Sequence, residues 1–212
     1  LKSFTISQFN YDEFTIFVYP HVYKPSDDTY MLANVLKKCK KVDVAIEFGT
    51  GCGLLSLIAS KIAKVVIAYE TNVYAFRNAL KNIKLNQLQN KIFVFLDEGI
   101  NCPQAELIFM NPPYLSDLPL GYQDVEAQNW YGGPDGVRIF LRILNLISRK
   151  LTKNGKLLFV ASSTQNKPIL HKALRMYGFS WEIAVSKRYF YETIEIYKCT
   201  KNERTKSDIC RL

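Results

Sequence analysis

Histidine and regularly spaced cysteine are what this chain has least of. Its 212 residues hold two histidines, His21 and His171, and five cysteines (Cys39, Cys52, Cys102, Cys199 and Cys210) that are odd in number and lack metal-ligand spacing. A structural zinc site and a disulfide framework are therefore not expected, and reduced thiols in a cytoplasmic setting are the simpler reading. No apolar run approaches the roughly 20 residues that span a bilayer. The first residues also lack the basic, apolar, small-residue order of a secretory signal. Neither a membrane span nor export is expected. There is no block of one charge either: 28 Lys and Arg against 19 Asp and Glu give +9, but the lysines are scattered. That spread suits a solvated surface or contact with nucleic acid.

What the chain does have is alternation. Short apolar runs rich in Val, Ile, Leu and Phe (VDVAIEF, VVIAYE, KIFVFLD, ELIFMN and KLLFVAS) predict parallel strands buried on both faces. Helical patterns are predicted at Asp27–Lys38, Leu54–Ala63, Val73–Leu88, Val137–Leu151 and Ile169–Tyr177. Asn72 and Asp135 are candidate N-caps, and Asn154-Gly155 a candidate stop for the helix begun at Val137. Trp181–Tyr191 and Glu192–Thr200 read as an antiparallel hairpin. FTIFVYP reads as one extended segment ahead of the sheet. The result is a doubly wound, Rossmann-like α/β fold. Residues 1–200 form one expected domain, with 1–40 as an extension contributing to the cofactor site and 201–212 as a flexible tail. The loop at 115–134 is long enough to suggest a functional role.

Two motifs carry the chemistry. AIEFGTGCG (Ala45 to Gly53) ends an apolar run in a glycine turn, where Gly49, Gly51 and Gly53 allow a sharp bend and close approach to a ligand. Leu54 stands where a dinucleotide fingerprint has its last glycine, and no Lys-Ser/Thr pair follows, so neither NAD, FAD nor a P-loop is indicated. Glu70, about twenty residues on, ends the second strand, where a carboxylate accepts ribose hydroxyls. That strand end is expected to be lightly packed and solvent-facing. Asp97 ends the third strand, placed to accept from an exocyclic adenine amine. Glu47 is placed to orient the turn or meet a positive methionyl end. Together these acids and glycines point to S-adenosylmethionine.

The second motif is LIFMNPPY (Leu107 to Tyr114). An amide or aromatic amine nitrogen is a weak nucleophile because its lone pair is delocalised. Asn111 can accept one of its N–H groups and the carbonyl of Pro112 the other. Pro112 and Pro113 stiffen the backbone, and Tyr114 can stack on a planar target. Cys52 and Ser56 lack the context of nucleophiles.

With these motifs in place, the chain resembles the HemK-like glutamine methyltransferases, in their short archaeal and eukaryotic branch. VYKPSDDTYML (Val22 to Leu32), WYGGPDG (Trp130 to Gly136) and ETIEIYK (Glu192 to Lys198) resemble segments particular to that branch. The resemblance implies a seven-stranded class I S-adenosylmethionine-dependent methyltransferase fold. It implies cofactor binding by Thr29, Glu47, Gly49, Glu70 and Asp97, with Asn111 to Tyr114 receiving the glutamine of the Gly-Gly-Gln motif in a class I release factor. Asn111 borders both halves of that site. The resemblance also implies a small zinc-binding activator, expected to pair at the edge strand 91–97. The alternative acceptor is an exocyclic amine of adenine or guanine in RNA or DNA.

Overall fold

The computed structural model describes residues 6–116 and 129–201. Most of the long loop expected at 115–134, and the expected tail beyond Lys201, lie outside the described residues. A two-stranded antiparallel hairpin, β1 (Ser7–Tyr11) and β2 (Phe14–Val18), leads into α1 (Asp27–Leu36). Then β3 (Val42–Phe48), α2 (Leu54–Ala59), β4 (Ala63–Glu70), α3 (Val73–Leu85), β5 (Ile92–Leu96) and β6 (Ala105–Met110) follow. The chain continues through α4 (Arg138–Lys150), β7 (Leu151–Ser162), α5 (Lys167–Met176), β8 (Phe179–Arg188) and β9 (Thr193–Lys201).

Seven strands form one sheet in the order β5-β4-β3-β6-β7-β9-β8, the first five parallel and β9 antiparallel to both neighbours. Because successive strand residues point to opposite faces, the apolar runs feed two cores. Ala45, Leu107, Phe109 and Leu158 pack under α1, α2 and the hairpin, while Ile46, Ile108, Met110 and Phe159 pack under α4 and α5. Phe140, Leu144 and Ile147, spaced as a helical stripe, supply the second core from α4. Strand order reverses between β3 and β6, which opens a crevice at their carboxyl ends.

At the sheet edge, β5 is covered on one side only. Ile92 is buried, whereas Phe93, Phe95 and Leu96 are exposed. α3 packs against β5, and the connection from β5 to β6 contains no helix to cover the other face.

The extended segment ahead of the sheet turns out to be a hairpin, fastened to α3 by asparagines at every fourth residue. Asn86 Oδ1 accepts from Thr15 N at 3.1 Å, Asn82 Oδ1 from Phe17 N at 2.9 Å and Asn78 Oδ1 from Tyr19 N at 2.8 Å. Their Nδ2 groups donate back to the carbonyls of Thr15 and Phe17. Four helical residues rise roughly 6 Å and two strand residues roughly 6.7 Å, so the two repeats keep step over three contacts. In β1 only Phe9 and Tyr11 alternate with polar residues, and a run that short carries little strand signal.

Several boundaries move. The helices expected to reach Lys38, Ala63, Leu88 and Leu151 end at Leu36, Ala59, Leu85 and Lys150, and the last begins at Lys167 rather than Ile169. Of the C-terminal hairpin strands, the first begins two residues and ends three residues before its expected limits, and the second is displaced by one residue at each end. Asn72 caps α3 as expected, accepting from Tyr74 N and Ala75 N. Asp135 caps nothing: α4 starts after Val137 without a side-chain cap, and the Asp135 carbonyl instead accepts from Asn166 N. Asn154-Gly155 does not stop α4. It lies where the β6–β7 register shifts between Leu151 and Lys156, so the turn signal marks an irregularity within a strand.

Candidate active site

The glycine turn sits at the crevice. Gly49 and Gly51 have φ of 74° and 57°, and a Cβ on either would meet no atom within 4 Å, so the backbone there faces open space. Gly53 serves a different end. A Cβ there would lie 3.3 Å from Ala79 Cα, which makes it a packing contact between α2 and α3, and it does not line the cleft.

The expected acids also divide by task. Glu47 is 1% exposed and accepts from Thr50 Oγ1 at 2.7 Å and from Ser56 Oγ, which fastens the turn to the first turn of α2. Burial pushes its carboxyl up to about 7. Ser56 is thereby a partner of Glu47, and burial pushes the Cys52 thiol up to about 12, so neither is a nucleophile. Glu70 is buried rather than lightly packed. Its Oε2 accepts from Gly51 N at 2.9 Å and its Oε1 from Thr71 N at 2.8 Å and Asn72 N at 3.0 Å. Asp97 is exposed just past β5, with Oδ1 accepting from Gly99 N at 2.5 Å and its own N–H donating to the Glu70 carbonyl at 3.0 Å.

Across the crevice, Asn-Pro-Pro-Tyr follows β6. Asn111 Nδ2 donates to Asp28 Oδ2 at 3.0 Å and to Thr29 Oγ1 at 3.1 Å. A carboxylate only accepts, so this pairing fixes which way the Asn111 amide faces. Its Oδ1 is left buried with no donor. Buried acceptors are normally satisfied, and this one borders the cleft. Tyr114 OH donates to Asp28 Oδ2 at 3.2 Å. Burial, and then the Asp28 charge, hold its phenol well above the usual range, so Tyr114 stays protonated.

Asp28 is the residue the motif reading missed. It is 3% exposed and gathers Tyr23 OH, Ser26 Oγ and Thr29 N besides Asn111 and Tyr114. In the sequence, Asp27-Asp28 reads as an ordinary acidic first turn of a helix. WYGGPDG buttresses the same loop. Leu115 N donates to Trp130 O and Gly132 N to Leu115 O, both at 2.9 Å. A Cβ on Gly132 would come within 2.6 Å of the Pro113 carbonyl oxygen, and one on Gly136 within 2.5 Å of that of Tyr114. Glycine is what lets these backbones meet.

Thr29, Glu47, Gly49, Gly51, Glu70, Asp97, Asn111, Pro112, Pro113 and Tyr114 all line one cleft of about 1480 Å³, joined by the unforeseen Asp28 and Glu192. The backbone open at Gly49 and Gly51, the flanking carboxylates and the donorless Asn111 Oδ1 fit a cationic nucleoside cofactor on one side and an N–H donor on the other. No described helix is long and apolar enough to cross a membrane.

Residues 29–112 match the family model of ribosomal protein L11 methyltransferase. A Methanocaldococcus jannaschii relative that carries the name of a protein N5-glutamine methyltransferase is 31% identical over 84% of this chain and 91% of its own length. The human methyltransferase HEMK2 is 26% identical over 85% of this chain and 90% of its own. Among solved structures, the E. cuniculi Mtq2–Trm112 complex, responsible for methylation of the eRF1 translation termination factor, aligns with TM-score 0.62 and 19% identity. It covers 86% of this chain and 99% of that one. The M. jannaschii tRNA m1G37 methyltransferase aligns with TM-score 0.70 and 18% identity over 96% of this chain, which spans 59% of that structure. At these identities the structural likeness concerns the fold.

Proposed function

The chain belongs to the protein N5-glutamine methyltransferases, and we propose that its acceptor is the glutamine of the Gly-Gly-Gln motif in a class I translation release factor. The methyl donor in this reading is S-adenosylmethionine, which supplies an electrophilic methyl group on a sulfonium. Gly49 and Gly51 let the backbone approach it, Glu70 keeps one lone-pair site, on Oε2, for a ribose hydroxyl and Asp97 keeps acceptor sites for the adenine amine. Thr29 lies between the two halves of the site, and Glu47 holds the turn from beneath.

The observation that carries the reading is Asn111 Oδ1, buried and without a donor. It accepts one N–H of the glutamine amide while the Pro112 carbonyl accepts the other, which leaves the nitrogen lone pair facing the donor. Asp28 and Thr29 hold Asn111 from behind, so its acceptor needs no reorganisation as positive charge develops on the amide nitrogen. The amide proton becomes acidic as the new C–N bond forms and leaves to solvent. Tyr114, kept neutral, serves as a wall for the planar amide rather than as a base.

The uncovered side of β5 supports a partner. Phe93 and Phe95 share the uncovered face of the edge strand, Leu96 is exposed at the strand's end and Ile100 lies beyond it, so apolar surface lies beside unpaired backbone groups. Such edges are normally protected. A small zinc-binding activator adding a strand there would cover both.

Labelled methyl transfer to a purified release factor, to the same factor with its motif glutamine replaced, and to bulk RNA, each with the activator present, tests the reading. Label is expected in the first alone, and Asn111→Ala should abolish it while cofactor affinity by calorimetry stays near wild type. Label in RNA with none in the factor would overturn the proposal in favour of a nucleobase acceptor.

A further inference from the structure

The β8–β9 hairpin ends in a feature the cleft does not explain. Its loop consists of two residues, Phe190 and Tyr191, closed by a hydrogen bond from Tyr189 N to the Glu192 carbonyl at 2.7 Å. Two-residue hairpin loops favour Asn, Asp and Gly because they use positive φ. Neither Phe190 nor Tyr191 is a turn former, and neither adopts that conformation. They are 90% and 89% exposed, with ring centroids 4.6 Å apart in an edge-on arrangement. Two bare aromatic rings contribute nothing to this chain's own core.

The tip is nonetheless held firmly from behind. Tyr189 OH donates to Asp27 Oδ2 at 2.6 Å and Lys187 Nζ to the same oxygen at 2.7 Å. Tyr189 is half-buried against the core that Tyr114 also borders. Ser162 Oγ donates to Glu192 Oε2 at 2.6 Å, and Glu192 lines the cleft. Asp27 anchors the tip, and its neighbour Asp28 anchors Asn111 and Tyr114. Adjacent carboxylates of one helical turn therefore tie both the residue before the loop and the Asn111 amide to the start of α1. Lys187 and Arg188 precede the loop and Glu192 follows it, and Lys187 is paired with Asp27, so charges of both signs flank the rings.

We propose that Phe190 and Tyr191 are the docking edge for the folded protein substrate. An apolar patch beside the substrate's glutamine loop seats on the two rings while the loop enters the cleft. The proposal rests on the reading that the acceptor is a glutamine of a folded protein. A free amide would fit the cleft with no further contact, whereas a loop presented by a domain brings that domain's surface against the cleft rim. Rigidly presented aromatics are the side chains that most often dominate such contacts.

The double variant Phe190→Ser/Tyr191→Ser, prepared with the activator, tests this in steady-state methyl transfer to a folded release factor. The KM for the factor should rise by roughly tenfold or more, with kcat and cofactor affinity within about twofold of wild type, and Tyr191→Phe should restore most of the loss when Phe190 is present. An unchanged KM would overturn the proposal. So would a parallel fall in kcat and cofactor affinity, which would make the tip a support of the site. A wild-type dimer that the variant converts to monomer would assign the rings to a second copy of the chain. Loss of RNA methylation by the variant would assign them to stacking on bases. If wild type itself fails to methylate the factor, the acceptor assignment falls, whatever the variant does.

Discussion

Asp28→Asn tests the positioning of Asn111 without touching Asn111 itself. The carboxylate receives Ser26 Oγ at 2.7 Å and Thr29 N at 2.5 Å on Oδ1, and Asn111 Nδ2 at 3.0 Å and Tyr114 OH at 3.2 Å on Oδ2. An amide in its place has one acceptor oxygen and one NH2. The Thr29 backbone N–H cannot turn its proton away, so the oxygen stays on that side. The NH2 then faces Asn111 Nδ2, donor against donor. Tyr114 can rotate its hydroxyl to accept, but Asn111 can escape only by flipping its own amide. That flip turns its NH2 toward the acceptor glutamine and removes the oxygen on which the chemistry depends. A hydrogen bond to a charged group is worth about 1.5–3 kcal/mol. At 1.4 kcal/mol per decade, kcat should fall roughly ten- to hundredfold. Thr29 N keeps its partner, so cofactor affinity by calorimetry should stay within about twofold, and a thermal melt should confirm the fold. A variant with wild-type kcat would refute the positioning argument. Loss of cofactor affinity equal to the loss of kcat would show that the cluster serves the donor side instead.

Glu70→Ala removes the acceptor of three backbone N–H groups as well as the expected ribose contact. It should weaken S-adenosylmethionine by roughly ten- to hundredfold and also lower the melting temperature; unchanged affinity by calorimetry would sink the ribose assignment. Glu47→Gln tests the buried carboxyl. Burial raises its folded pKa from 4.5 to about 7, so the fold holds that proton more tightly than the unfolded chain does. Its contribution is full below about 4.5 and is lost as pH rises through about 7. The variant, whose amide oxygen still accepts from Thr50 and Ser56, should match wild type in melting temperature near pH 4.5 and exceed it at pH 8; a gap constant with pH would contradict the burial argument. Phe93→Asp places a charge on the uncovered face of β5 and should abolish recovery of a heterodimer on co-expression with the activator, while the isolated chain stays folded. A stoichiometric complex with the variant would remove β5 from the interface.

The sheet was legible because its central strands are buried on both faces and so appear as near-continuous apolar runs, as in VDVAIEF and ELIFM, whereas KIFVFLD reads the same way yet lies at the edge with Phe93 and Phe95 exposed. The glycine turn and Asn-Pro-Pro-Tyr were legible because each closes such a run. Gly53 carries the same letter as Gly49 and Gly51 but packs against Ala79, a difference set by tertiary contact. Asp28 and Asp27 likewise carry the same letter in one helical turn, yet one faces Asn111 and the other Lys187. The turn signal at Asn154-Gly155 was real but lay within a strand pairing, since a positive φ at Asn154 marks a bend without saying which element it interrupts. Phe190-Tyr191 carries no turn signal at all, because nothing in that pair favours a tight loop.

The asparagine ladder of α3 has a consequence for how this fold is inherited. Its contacts with β2 reach only backbone N–H and C=O groups, which every residue but proline presents alike. The polar part of the docking therefore draws no information from the strand's side chains, and three carboxamides spaced four apart, Asn78 and Asn82 on the helix and Asn86 at its cap, carry that part. Substitutions along β2 can accumulate so long as its inner face still fills the core, and two chains could share this hairpin with little identity across it. The mark to look for in a distant chain is Asn-x-x-x-Asn-x-x-x-Asn on the helix after the second sheet strand, 59 to 71 residues downstream of the backbone it secures.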